Sequence, residues 1–448
     1  MELRTGPTVI KRLPLLLRHV MYNLRGGFLV RPLAIALALG SAGALLSAAE
    51  ESFPGISAWV PKLLFPSHSD PQVAQVILSD IATSTMTVVS IVFAILLMTL
   101  TLASMQFSPR ILVSFARDRV TQRTLGLFLG TFSYCMAALP AARSFPAPFS
   151  PVATVLGAMV LAFACVCGLL YFIHHISQAI SVNHIADRIA SETEAVIDEL
   201  MPWPHRFPRA RDTTPFDPNA WPVGVTNEVS GYIRYVDTGR LVNLAKTYRV
   251  QVHSPRRVGH FVPAGIPLLL ASKPERLTPG AVAELRSAFD IGPVRTLQQD
   301  VEFGVLQIVD IALKAISPAV NDPTSAITCV DQLSRVMIRF ASREPPDSLL
   351  FDPPGVVRVS IPWIGFERLL DSAFEQIRLY AKGDAAVSLR LLRALGDVAA
   401  TTQDPAYRTI LVERGRRVLA GCAENLNAQE LGALQERAAA LEKLGATP

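Results

Sequence analysis

Hydrophobic and polar positions divide the chain near Tyr171. Before it, long apolar runs alternate with short polar segments. After it, apolar residues recur at helical or strand spacing among many charges. Four runs are apolar for long enough to cross a bilayer, which takes ~20 residues. They cover about 32–49, 79–106, 125–142 and 152–173. Residues 8–28 place Leu13, Leu16, Leu17, Val20, Met21, Leu24 and Phe28 on one helical face, and Lys11, Arg18 and Arg25 on another. That pattern predicts an amphipathic interfacial helix within a cytosolic leader, 1–31.

Beyond the fourth run, 174–200 is polar with Ile176, Ile180, Ile185, Ile189 and Val196 on one side. This predicts a helical extension of the membrane bundle, so that the bundle and its extension span 32–200. A proline-rich linker, 201–222, marks a boundary. Short β-type runs at 223–274, broken by glycine and proline, predict a small β-module similar to the barrel-sandwich of biotinyl-lipoyl carriers. No Met-Lys-Met is present to carry a prosthetic group, which leaves a structural or docking role. Residues 280–448 read as mostly helical, with helices at 300–316, 366–381 and 385–401, another starting at Asp322-Pro323, and more from Asp404 onward. Asp322 has the place of an N-cap and Pro323 of the first helical position. Residues 347–359 read as a proline-rich break. The expected fold is therefore a four-helix membrane bundle followed by a cytosolic α+β region, with a small barrel-sandwich-like module and a helical domain.

Composition agrees with this division. The chain is 50% hydrophobic and 18% charged, against ~25% charged for ordinary soluble proteins. Lys and Arg concentrate in the leader and in Arg110, Arg117, Arg119 and Arg123, while the 50–75 and 143–151 loops hold only Lys62 and Arg143. The positive-inside rule then places both termini in the cytoplasm of a multi-pass inner-membrane protein. Five cysteines form no CxxC pair and no disulfide framework. The excess of +5 sits near expected membrane surfaces, which suits anionic lipid rather than nucleic acid.

Candidate chemistry falls in three places. The second span carries Asp80, Thr83, Thr87, Ser90, Thr101 and Ser104 at three- and four-residue steps. Such a face either lines a pore or packs against neighbouring helices. At its end, Gln106, Ser108, Pro109 and Arg110, with Arg117 beyond, form an interfacial motif. This motif anchors head groups and sets topology, or rings a channel mouth. In the helical domain, Asp300, Gln307 and Asp310, followed by Asn321 and Asp322, make a polar cluster. It is either a capped helix junction or a small-ligand site. His174, His175 and His184 lack helical metal-ligand spacing, and no catalytic triad, phosphate-binding loop or zinc set is present. No enzyme activity, cofactor or metal is expected.

Two blocks of residues resemble a known family. The first is Gln106-Phe-Ser-Pro-Arg110-Ile-Leu with Phe115, Arg117-Asp118, Gln122, Leu125-Gly126, Phe128 and Phe132. The second is Asp300, Phe303-Gly304, Gln307, Asp310-Ile311-Ala312, Ala315, Ser317-Pro318-Ala319 and Asn321-Asp322-Pro323. They resemble the bacterial predicted-membrane-protein family filed as domain of unknown function 2254. The resemblance implies four spans and a cytosolic C-terminal region, and it implies no activity. The expected function is an oligomeric channel or solute pathway for an ion or small solute. It would be lined by the second span in a homo-oligomer within the lipid bilayer, and controlled by the cytosolic domain. The alternative is a membrane-anchored scaffold or sensor whose cytosolic domain binds a partner or small ligand.

Overall fold

The computed structural model describes residues 30–53, 55, 70–106, 119–144, 148–179, 181–201, 221, 223–352 and 355–445. It divides into two compact units, 1–181 and 182–448. The expected leader helix, the linker core and the residues Ser108, Pro109, Arg110 and Arg117 lie outside the described residues, as do the side chains of Ser104 and Gln106.

The first unit holds four helices long and apolar enough to cross a membrane. They are α1 (Val30–Ser52), α2 (Pro71–Gln106), α3 (Arg119–Ala138) and α4 (Val152–Ala179). The third is the most buried and packs against the other three. Its small-xxx-small pair sets the contact with α1: a Cβ on Gly126 would lie 2.6 Å from Ile35 Cδ1, and one on Gly130 2.5 Å from Leu39 Cδ1. Only glycine lets these backbones approach so closely.

The second helix begins eight residues before the expected span. Asp70 accepts from Gln72 N at 2.9 Å and Pro71 takes the first turn, so this is a capped start. At 36 residues and ~1.5 Å per residue, α2 exceeds a ~30 Å hydrocarbon core. Asp80 is therefore the tenth residue of the helix and not its first.

Glu50, at the end of α1, is fully buried. Its carboxylate accepts from Ala153 N at 2.8 Å, Thr154 N at 3.0 Å and the Thr154 hydroxyl at 2.9 Å. One helix thus supplies the N-terminal cap of another. The carboxylate meets the orphan amides and the positive end of the α4 dipole.

The second unit opens with α5 (Val182–Leu200). Ser181 N bonds Gln178 O in a turn after α4, so residues 174–200 are not one continuous extension. The apolar face of α5, from Ile185 to Ile197, is buried in the second unit and not in the bundle. Tertiary burial, which periodicity does not reveal, decides which unit this helix joins.

Next come β1 (Val223–Thr226), β2 (Gly231–Val236), α6 (Thr238–Thr247), β3 (Val252–His253), β4 (Phe261–Val262), β5 (Pro267–Ala271), α7 (Pro279–Arg286) and β6 (Phe289–Gly292). The helices α8 (Val301–Ala315) and α9 (Pro323–Ala341), strands β7 (Leu349–Asp352) and β8 (Val356–Ser360), and α10 (Phe366–Tyr380), α11 (Ala385–Thr401), α12 (Pro405–Cys422) and α13 (Ala428–Gly445) complete it. A five-stranded sheet runs β1-β5-β3-β8-β7 and a three-stranded sheet β4-β2-β6. Among the described residues only the β3–β8 pair is parallel.

Two expectations are corrected here. The two sheets form no closed barrel among the described residues, and the β-module does not end at 274. Strand β3 has only two residues, and its second neighbour is β8, from the stretch read as a break. Prolines at 345, 346, 353 and 354 masked a hairpin there. Gly355, at φ +140°, takes a backbone conformation that L residues rarely adopt.

Helix α8 is buried along most of its length and packs on α5, α9 and α10. A close contact fixes it to α5, since a Cβ on Gly304 would fall 2.0 Å from Thr193 Oγ1. Ion pairs tie α5 to α9: Arg335 donates to Asp187 at 2.8 Å and Glu194 at 2.5 Å, and Arg339 and Arg343 both hold Asp198. Those arginines hold the Asp198 carboxyl below its ordinary pKa.

Candidate functional site

A cavity of about 640 Å³ in the second unit opens at the N-terminal end of α8. Several stretches converge on it. The turn between β3 and β4 supplies Arg256, Arg257 and His260, and β4 supplies Phe261. The segment before α8 supplies Arg295, and α8 itself Glu302. Helix α10 supplies Arg368, Asp371, Ser372 and Glu375, and α12 Arg417.

The floor is a network of buried charges. Glu302, its side chain 7% exposed, accepts from Arg257 at 2.9 Å, Arg295 at 3.1 Å and the Ser372 hydroxyl at 3.0 Å. Arg295 also forks onto Asp300 at 2.7 and 2.8 Å. Asp300 in turn caps α8 by accepting from Phe303 N at 3.1 Å. The Arg295 guanidinium lies 5.5 Å from the Phe303 ring centre, a cation–π distance. Burial alone would raise the Glu302 pKa, but Arg257 and Arg295 outweigh it and hold the carboxyl below its ordinary value. Gly259 makes this packing possible. It has φ +87°, and a Cβ there would strike Asp300 Oδ2 at 2.3 Å.

Around this floor five lining arginines face three lining carboxylates, and Arg417 is itself paired with Glu413. Two of those carboxylates are already engaged from behind. Arg414 forks onto Asp371 at 2.7 and 3.1 Å, and Arg378 onto Glu375 at 2.6 and 2.9 Å. Glu302 is engaged by Arg257 and Arg295. Arg368 approaches Glu302 only to 3.8 Å and is 73% exposed. Burial, and then Arg257, lower the His260 pKa below its ordinary value. The arrangement can bind an anion, because planar guanidinium forks match phosphate and carboxylate oxygens.

The residues singled out from sequence are dispersed. Asp300 belongs to this floor. Asp322 instead caps α9, accepting from Ser325 N at 3.1 Å, and the Ser325 bonds hold its pKa down. The two aspartates lie at opposite ends of the 15-residue α8, ~22 Å apart along the axis. Gln307 is buried on α8, Asp310 is half-buried, and Asn321 is exposed at φ 49°. These five do not form one site. What the sequence reading passed over was basic: Arg256, Arg257, Arg295, Arg368 and Arg417. The available signals were the Arg256-Arg257 pair ahead of Gly259 and a Glu302 inside an otherwise apolar helix.

In the first unit, Asp80, Thr83, Thr87, Ser90 and Thr101 are all exposed among the described residues. Thr87 donates to Thr83 O at 3.0 Å, Ser90 to Met86 O at 3.2 Å and Thr101 to Leu97 O at 2.8 Å. These hydroxyls therefore satisfy themselves on their own helix. Ser79, Thr83, Thr87 and Ser90 line a groove of about 380 Å³ with Phe132, Cys135 and Met136 of α3. No group of three or more His, Cys, Asp or Glu side chains able to hold a metal occurs among the described residues.

The sequence profile of a family described as "Predicted membrane protein (DUF2254)" matches residues 25–397, which takes in all four apolar helices and the α8 cavity except Arg417. The chain belongs to this family. It is also 33% identical over 444 residues to uncharacterized proteins of Mycobacterium bovis and Mycobacterium tuberculosis, covering 96% of this chain and 83% of theirs. No solved structure matches it. The family supplies the membrane setting of the DUF2254 chain, and the α8 cavity supplies the chemistry from which a function can be argued.

Proposed function

We propose that the protein is a membrane-anchored receptor whose second unit binds a small anion in the α8 cavity. The observation that carries this reading is the surplus of guanidinium groups around carboxylates already engaged by Arg257, Arg295, Arg378 and Arg414. A structural ion-pair network needs no open cavity of that size. The binding of small ligands does, in pockets of roughly 300–1,000 Å³. The positive-inside pattern puts this unit in the cytoplasm of the bacterial cell. The test is calorimetric titration of the full chain in nanodiscs with a panel of phosphorylated and carboxylated anions. Binding should be lost in Arg368→Ala/Arg417→Ala, whose side chains lie at the rim. An absence of heat for every anion, with a folded protein, would sink the reading.

A second reading has its own observation. The hydroxyl face of α2 is exposed, and part of it borders the groove against α3. It would therefore line a path only where several copies surround an axis, which is the channel expected from the sequence. Self-bonded hydroxyls are equally at ease against lipid, so the face carries less weight than the cavity. Flux of ions through proteoliposomes, abolished by Thr87→Leu, tests it. Tight liposomes would remove it.

A further inference from the structure

The arginine cavity is larger than a bare phosphate or sulfate needs, and one of its walls is aromatic. Phe261 lines it, 44% exposed, although its strand neighbour Val262 is fully buried. The alternation of a β-strand accounts for this: successive side chains face opposite ways, and Phe261 takes the cavity side. The ring is held rather than loose. Tyr232 of the adjacent strand meets it edge-on, with ring centres 5.2 Å apart and planes at 71°. Arg256, five residues earlier, donates to the Phe261 carbonyl, so guanidinium and ring are positioned together.

An exposed, braced aromatic beside several guanidinium groups is the complement of a ligand with a flat ring at one end and phosphates at the other. We infer that the anion is a nucleotide, with its base on Phe261 and its phosphates on the Arg368 and Arg417 side. This rests on the anion reading above and narrows it. Stacking of a base on an aromatic side chain is tolerant of base identity, so the inference names a class and not one nucleotide. His260 and Gln376 also line the cavity and can bond a ribose or a base edge.

The experiment titrates the full chain in nanodiscs of neutral lipid with ADP, pyrophosphate and adenosine. ADP should bind about tenfold or more tighter than pyrophosphate, the scale of one stacked base. Phe261→Ala should remove that advantage and leave pyrophosphate binding as it was. Arg368→Ala/Arg417→Ala should lose both ligands, while its circular dichroism matches that of the wild type. Equal binding of ADP and pyrophosphate, with no effect of Phe261→Ala, would overturn the nucleotide inference and leave the anion reading standing. No binding of any anion would overturn both. Repeating the titration in anionic lipid separates a free nucleotide from a phospholipid head group. Nucleotide affinity should not change, and competitive loss of ADP binding would assign the phosphates to lipid and overturn the inference.

Discussion

Glu302 is the carboxylate that currently neutralises the cavity floor, so changing it to glutamine tests the site most directly. The substitution keeps the shape and removes one charge. Arg257, its side chain 12% exposed, would then lose the carboxylate it pairs with, while Arg295, 15% exposed, keeps Asp300. Breaking a buried ion pair from one side costs ~3–5 kcal/mol. Here Arg295 keeps both bonds to Asp300, and the glutamine oxygen can still accept from one guanidinium. The expected loss therefore lies lower, ~2–3 kcal/mol. For a unit of this size that is a fall of about 4–5 °C in Tm. Thermal unfolding of the full chain in detergent, followed by tryptophan fluorescence, reads it, since Trp221 and Trp363 both belong to the second unit. The same variant should bind anions more tightly, because an internal competitor has lost its charge. Saturating pyrophosphate, near a hundred times its Kd, stabilises by ~2.7 kcal/mol, so the ligand should return most of the lost Tm. It should raise the variant's Tm by more than the wild type's. An unchanged Tm, or an equal ligand-induced rise in both proteins, would refute the assignment of Glu302 as the charge that balances Arg257 and Arg295.

Other consequences can be measured in the same preparation. Asp322→Ala removes the α9 cap and should destabilise the second unit by ~1 kcal/mol, without altering anion affinity, because Asp322 lies far from the cavity; a loss of binding would contradict the geometry. Gly304→Ala should destabilise despite alanine's ~1 kcal/mol helix advantage, since its Cβ meets Thr193 Oγ1, and Thr193→Ala should relieve it in a double-mutant cycle; additive effects would show that the contact is not close. Anion affinity should rise as pH falls below about 6.5, the ordinary histidine value. The His260 pKa is lowered when the cavity is empty, the ring gains a proton more readily beside a bound anion, and His260→Gln should flatten that slope. Without ligand the sign is opposite. A histidine pKa lowered in the folded state contributes stability that is complete above the unfolded value and is lost as pH falls through that range.

The sequence makes the first unit legible because lipid leaves few alternatives. A run of apolar residues of sufficient length must be a helix whose backbone bonds itself. Capping was legible for the same local reason, and Asp322-Pro323 starts α9 as its chemistry requires. The Asp70-Pro71 start of α2 was equally local and would have extended the span had it been weighed. The sheets were not legible. Strand β3 owes its place to β8, more than a hundred residues later in the chain, and no local pattern reports such a pairing. The site was hidden for a related reason. Charged residues in a polar half read as solvent-facing until the fold brings them together. Arg257, Arg295 and Glu302 come from separate turns and helices, and only their convergence buries them.

The position of that convergence bears on how a ligand could matter to a membrane protein. The cavity floor is the first turn of α8, and two residues after Glu302 the same helix meets α5 at Gly304 and Thr193. The salt bridges of α5 to α9 form a small network of mostly half-exposed side chains that can re-form around a shifted helix. The glycine contact is steric and tolerates no displacement of α8 toward α5. A ligand that draws Arg257 and Arg295 away from Glu302 therefore acts on a turn locked to α5. In the chain, α5 follows α4 after only two residues. Coupling of this kind requires two arrangements of α8 with different ligand affinities. The Gly304→Ala variant bears on that requirement as well as on stability. If α8 shifts on binding, the crowded variant should change anion affinity as well as Tm, and Thr193→Ala should restore both. If α8 is rigid, affinity should be the same in all three variants while Tm alone follows the packing.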